Sequence, residues 1–147
     1  MNCKEEAHYR LRLAEGFLIE AKQDLSLSRW RSCVDNSQLS VENSGKAIIV
    51  IFEPVEKSRN LSIQLKRLVK NKIVNKALIE DIDRALSLFE EIGSDKHFLT
   101  DYGDETTYRD PWQLFGEKDA QESLAIAEKC FSLARRVFDF YFAGRKI

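Results

Sequence analysis

Gln38, Glu42 and Lys46 stand four residues apart, inside a stretch from Arg29 to Phe52 whose apolar residues recur at helical spacing. Residues four apart lie one above the other on a helix, so an amide, a carboxylate and an ammonium form one polar ridge beside an apolar stripe. Such a ridge offers three groups to a polar ligand. It can equally close on itself as a surface Glu-to-Lys pair worth on the order of a few tenths of a kcal/mol, and the residues alone favour that pair.

The second set of chemistry-bearing residues lies in Ser94 to Phe115, SDKHFLTDYGDETTYRDPWQLF, where periodicity fades and titratable and aromatic residues accumulate. His97 has the side chain for general acid or base work near neutral pH, against the plainer role of a helix-end histidine bonded to a backbone carbonyl. Asp101, Asp104 and Glu105 could ligate a divalent cation through oxygen, but they lack the Asp-x-Asp-x-Asp-Gly layout of a calcium loop, and capping is the plainer reading. Arg109 suits a phosphate or an internal pair with Asp110. Tyr102, Tyr108 and Trp112 could stack on a base or pack over the end of the molecule. There is no glycine-rich phosphate loop, so side chains must hold any nucleotide, and no metal or cofactor is expected.

Five helical stripes must position these groups. Ala7, Leu11, Ala14, Leu18, Ala21 and Leu25 mark a first amphipathic helix from about Glu5 to Ser26, with Glu15, Glu20, Lys22 and Asp24 falling outside the stripe. Ser28 is placed to cap the second helix, which Glu53-Pro54 ends because proline disfavours helical geometry in the residue before it. A shorter third helix spans Leu61 to about Val69. Val74, Leu78, Ile82, Ala85, Phe89 and Ile92 trace a fourth, with Gly93 as its C-terminal cap. The last runs from about Lys118 to Phe142. The aromatics of the 94–115 loop itself, Phe98, Tyr102, Tyr108, Trp112 and Phe115, argue that it folds back on the helices.

The 147 residues suit a single domain, 1–147, with six Gly and two Pro leaving little material for the turns of a β fold. A formal net charge of −1 gives no support to a strongly basic nucleic-acid binder. Cys3, Cys33 and Cys130 are odd in number and widely spaced, which predicts reduced thiols. No segment has the apolar length of a membrane span, and MNCKEEAHYR has no apolar run behind its charges, so a soluble cytoplasmic protein is expected.

The ridge also carries a resemblance. Gln38, Glu42, Lys46 and Ala47 fall where the HEPN family, nucleotide-binding domains of higher eukaryotes and prokaryotes, places a Gln-x-x-x-Glu-x-x-x-Lys-Ala signature. The Asp24-Leu25 end of the first helix, the proline break, the Tyr-Arg-Asp-Pro segment and the alanine-rich last helix follow in the family's order. The resemblance implies an all-α, up-and-down bundle of four to five helices, often a homodimer, in prokaryotes frequently beside a minimal nucleotidyltransferase in a toxin–antitoxin system. Many members are metal-independent ribonucleases using an arginine four to six residues ahead of a histidine. This chain departs from that pattern: no arginine lies at that distance before His8 or His97, and Arg59 stands where relatives often carry a histidine.

Three functional readings follow. The first, which the missing arginine–histidine pair favours, is a non-catalytic module that binds a nucleotide, an RNA or a protein partner. Its groove would lie between the second helix and the 94–115 loop, with Gln38, Glu42 and Lys46 as the wall and His97, Asp101, Tyr102, Asp104 and Arg109 facing it. The second is a divergent ribonuclease using His97. The third is a purely structural dimerisation domain.

Overall fold

The computed structural model describes residues 3–57, 61–91 and 99–143. His97, Arg59 and Gly93 lie outside the described residues. Helices α1 (Cys3–Ser26) and α2 (Trp30–Phe52) form a hairpin across a three-residue connection, followed by α3 (Leu61–Lys70) and α4 (Lys76–Glu91). A short α5 (Pro111–Leu114) precedes α6 (Glu117–Phe138), which continues as a π-helical turn over Asp139–Ala143. The fold is all-α, as the stripes require. Among the described residues the one piece of β pairing is an isolated antiparallel bridge between Asp104 and Arg109.

Helix α2 is the centre of the bundle and packs against α1, α3, α4, α5 and α6. Its burial explains its sequence: Cys33, Val34, Val41, Ile48 and Ile49 are all at most 1% exposed, and its last turns are apolar on every side because neighbours cover every side. Helix α1 runs antiparallel to it. The pairing is fixed by two cross-helix bonds, from Ser40 Oγ to the Ala14 carbonyl (2.7 Å) and from Arg10 Nη1 to Asn43 Oδ1 (3.3 Å). Helix α6 runs parallel to α2, with the Cys33 thiol donating to the Ala120 carbonyl (3.6 Å) near one end and Phe52 meeting Tyr141 edge-on near the other (5.2 Å). Small residues make that approach possible: Ala120, Ala127 and Ala134 are at most 1% exposed.

Three expectations need correction. Ser28 does not cap α2: it adopts φ 59°, the left-handed conformation of a helix-ending residue, and Arg29 occupies the N-cap with no side-chain cap bond. Asp24 is buried, not solvated. It accepts from Asn36 Nδ2 at 2.8 Å and faces Arg29 Nε at 3.7 Å, so a charge outside the apolar stripe ties the α1–α2 turn together. The last helix changes character at Asp139, where the π turn aims Tyr141 at the start of α4, and its hydroxyl accepts the Asn75 N–H at 2.8 Å.

The cysteines are free thiols. Burial pushes the Cys33 thiol up, and pushes Cys130 up to about 12, so both remain protonated and packed while Cys3 is exposed.

Candidate binding site at the start of the second helix

Arg29 and Arg31 open α2, at the end of a helix whose unpaired N–H groups make it electropositive. Cations are misplaced there unless something anionic compensates. The protein supplies Asp24 for Arg29 and, from the loop, Asp101 for Arg31 at 3.8 Å. Arg31 Nη1 also donates to the Thr100 carbonyl at 2.8 Å, and the Thr100 hydroxyl donates to Asp35 Oδ1 at 3.1 Å. These bonds pin residues 99–102, which are helical, across the first two turns of α2.

The rest of the loop is ordered by its own local chemistry. Asp110 accepts the Gln113 N–H at 2.9 Å while Gln113 Oε1 accepts the Asp110 N–H at 2.9 Å, a reciprocal capping box with Pro111 at the first helical position. That box creates α5, which carries Trp112 outward over Arg31: the guanidinium carbon lies 5.6 Å from the ring centroid. Between Thr100 and Asp110 the chain turns through the Asp104–Arg109 bridge, with backbone bonds of 2.8 and 3.1 Å. Gly103 (φ 75°) is required at its base, because a Cβ there would collide with the Arg109 carbonyl oxygen.

Asp104 closes this turn by accepting the Thr106 N–H (3.0 Å) and the Thr107 N–H (3.4 Å). The Thr107 hydroxyl, then these backbone N–H groups and the Arg109 charge, hold its carboxyl below the ordinary aspartate value. A carboxyl lowered by folding stabilises the turn fully above its unfolded pKa and loses that contribution as pH falls through its folded value. We expect the 104–109 turn to keep its amide dispersion at pH 5 to 7 and to loosen only in acid, below about 4. Asp104→Asn should abolish that acid transition in an NMR titration; an unchanged transition would assign it to another carboxylate.

The result is a cavity of about 260 Å³ lined by the first residues of α2, Trp112 and Phe115. Arg29, Arg31 and Ser32 supply donors to its lining, and Trp30, Trp112 and Phe115 supply aromatic surface. Tyr102, Tyr108 and Trp112 are 64%, 92% and 72% exposed, so they do not pack over the bundle's end as a structural loop would; Phe115 alone of the four packs against the core. Tyr108 is held outward by a positive φ of 57°.

The polar ridge of α2 lies beyond these first turns. Gln38 is fully buried, and neither its amide nitrogen nor its amide oxygen has a hydrogen-bond partner among the described residues. Glu42 and Lys46 pair with each other at 3.3 Å, the internal helical pair that the spacing favours. They lie about 16 Å or more along the axis from Arg31 at 1.5 Å per residue. Two hydrogen bonds tie the loop to the first turns of α2, from Arg31 and to Asp35. Asp101, Tyr102, Asp104 and Arg109 therefore share one loop, but Arg109 enters it through its backbone and leaves its side chain exposed. Among the described residues no three His, Cys, Asp or Glu side chains gather as a metal site. Sequence reasoning missed Arg31; two arginines at the wrong end of a helix dipole were the available signal.

Within the described residues, no helix is long and apolar enough to cross a membrane. A search of curated proteins returned no match. The crystal structure of TT1696 from Thermus thermophilus is similar in fold, with a TM-score of 0.65 at 18% identity, covering 93% of this chain and 99% of that one. The model of the HEPN domain matches residues 7–138, from the first buried residue of α1 to the last residue of α6. The chain belongs to the HEPN domain family.

Proposed function

We propose that this protein is a non-catalytic binding module that takes a nucleotide at the junction of the α2 N-terminus with residues 99–115. One observation carries the reading: Trp112 stands exposed over Arg31 at an electropositive helix end, beside a cavity lined by both hydrogen-bond donors and aromatic rings. The base stacks on Trp112, and the phosphate takes the place of Asp101 at Arg31, close to Arg29 and Ser32. A cavity of about 260 Å³ is at the small end for ligand sites, which suits a base and sugar with the phosphate outside. Asp101, Asp104, Glu105 and Asp110 surround the aromatics and disfavour a long polyanion, so a mononucleotide is preferred to RNA.

The ribonuclease alternative has no arginine at the family's distance from His97, and the nucleotidyltransferase partner is a proposal that rests on the family alone. Titration of the tryptophan emission with nucleoside monophosphates tests the binding reading. Trp112→Ala should weaken the affinity about tenfold to a hundredfold, the worth of one base–aromatic stack. It should change stability by less than about 0.5 kcal/mol, since the ring is mostly exposed. Equal affinity in the variant would overturn the assignment.

A further inference from the structure

A second cavity, of about 690 Å³, lies between α4 and α6 and shares no residue with the junction at Arg31. Its volume falls within the roughly 300–1,000 Å³ of small-molecule sites. One wall is the stripe of α4 from Asp81 to Leu88, and the other is the stripe of α6 from Ala125 to Arg136; both follow helical spacing, so each is one continuous face. Asp81 near the start of α4 meets Arg136 near the end of α6, while the charge of Glu91, at the end of α4, reaches Cys130. The two helices therefore run antiparallel along the groove.

One end of the groove is built from charge. A single carboxylate, Asp81, holds guanidiniums from two helices: its Oδ1 accepts from Arg84 Nη2 at 2.9 Å and its Oδ2 pairs with Arg136 Nη2 at 2.9 Å. Arg84 Nε also donates to the Glu80 carbonyl at 3.4 Å. A guanidinium has more N–H donors than these bonds use, so both arginines keep donors for a further acceptor. Over the whole lining, Asp81 and Glu128 stand against Arg84, Lys129 and Arg136, an excess of one positive charge. That balance suits a monoanion better than a dianionic phosphate, and the planar forks of two arginines suit a carboxylate. Away from this end the floor is apolar. Ala85 and Leu133 are nearly covered by the bundle, Leu88 is half-buried, and the aliphatic stems of long charged side chains extend such a floor. From Asp81 to Leu88 it runs about 10 Å by helix rise.

We propose that the α4–α6 groove binds a small organic acid, with its carboxylate bridging Arg84 and Arg136 and its apolar body lying along Leu88 and Leu133. The proposal does not rest on the nucleotide reading, which uses Arg31 and Trp112. The ligand's carboxylate takes donors that Asp81 leaves open, so neither ion pair has to break. The body supplies the apolar contact that a bare anion lacks, which separates this ligand class from inorganic ions.

The test is titration of the nitrogen-15-labelled protein with octanoate, kept below the concentration at which it forms micelles, beside acetate and octanol, which carry the head and the body alone. Octanoate should shift the amide signals of residues 84–88 and 129–136 in a saturable way, with acetate and octanol each at least about tenfold weaker. Arg84→Gln/Arg136→Gln should weaken octanoate binding at least about tenfold. Leu88→Glu, which leaves both ion pairs intact and sets a carboxylate in the path of the body, should do the same. Amide dispersion shows whether each variant is folded, and Leu88→Glu carries the test if the arginine variant is not. No saturable shift, acetate or octanol binding as tightly as octanoate, shifts confined to residues outside the groove, or a folded variant that binds unchanged would each overturn the proposal.

Discussion

Gly103→Ala should destabilise the protein by about 2–3 kcal/mol and disorder the turn that presents Tyr108. Two effects add at this position. The residue occupies φ 75°, where a side chain is strained, and the new Cβ would collide with the Arg109 carbonyl oxygen and lie 3.0 Å from two backbone atoms of Asp110. None of these is the far end of a flexible side chain, so relief requires moving backbone, and the nearest backbone is the strand-like pair Asp104–Arg109. Chemical denaturation gives the energy, and the Asp104 and Arg109 amide signals report the bridge. A loss under about 0.5 kcal/mol with both amides still protected would mean that the turn is not built around Gly103.

Gln38→Met should have the opposite sign, stabilising by about 1–3 kcal/mol. A primary amide buried without a partner forfeits its hydration and gains no bond in return, whereas methionine has similar length and no polar atom to satisfy. Gln38 also lies two turns before Gly45, whose missing Cβ accommodates Leu61 and Phe89, so this side of α2 faces α3 and α4. Denaturant midpoints for the two proteins, at equal m-value, decide it. Destabilisation by more than about 1 kcal/mol would show that the amide is satisfied in solution and that its loss leaves a gap or an orphaned partner.

The helices were legible because apolar periodicity records burial directly: Ala7, Leu11, Ala14 and Leu18 in α1 and Leu78, Ile82 and Phe89 in α4 are buried as their spacing requires. The Glu42–Lys46 pair was legible for the same reason, since i,i+4 geometry is a property of the helix alone. Gln38 was not, because its burial depends on which neighbours close over that side of α2, which periodicity within α2 does not encode. Asp24 was misplaced because its partners, Asn36 and Arg29, come from the next helix and its cap. The loop yielded half its structure: Asp110 and Gln113 carry the capping-box spacing that builds α5, while the meeting of Arg31 with Trp112 is a contact across 81 positions that no local rule specifies.

That meeting is also where the central claim is most exposed. The protein has two tryptophans, Trp30 and Trp112, and hence two indole N–H signals in a nitrogen-15 correlation spectrum, with the Trp112 signal identified by its loss in Trp112→Ala. Addition of adenosine and uridine monophosphates should move the Trp112 signal in a saturable way, and the Arg31 side-chain signal with it. If neither signal moves while the protein stays folded, the junction of α2 with the loop does not bind nucleotides, and the account of this site is wrong.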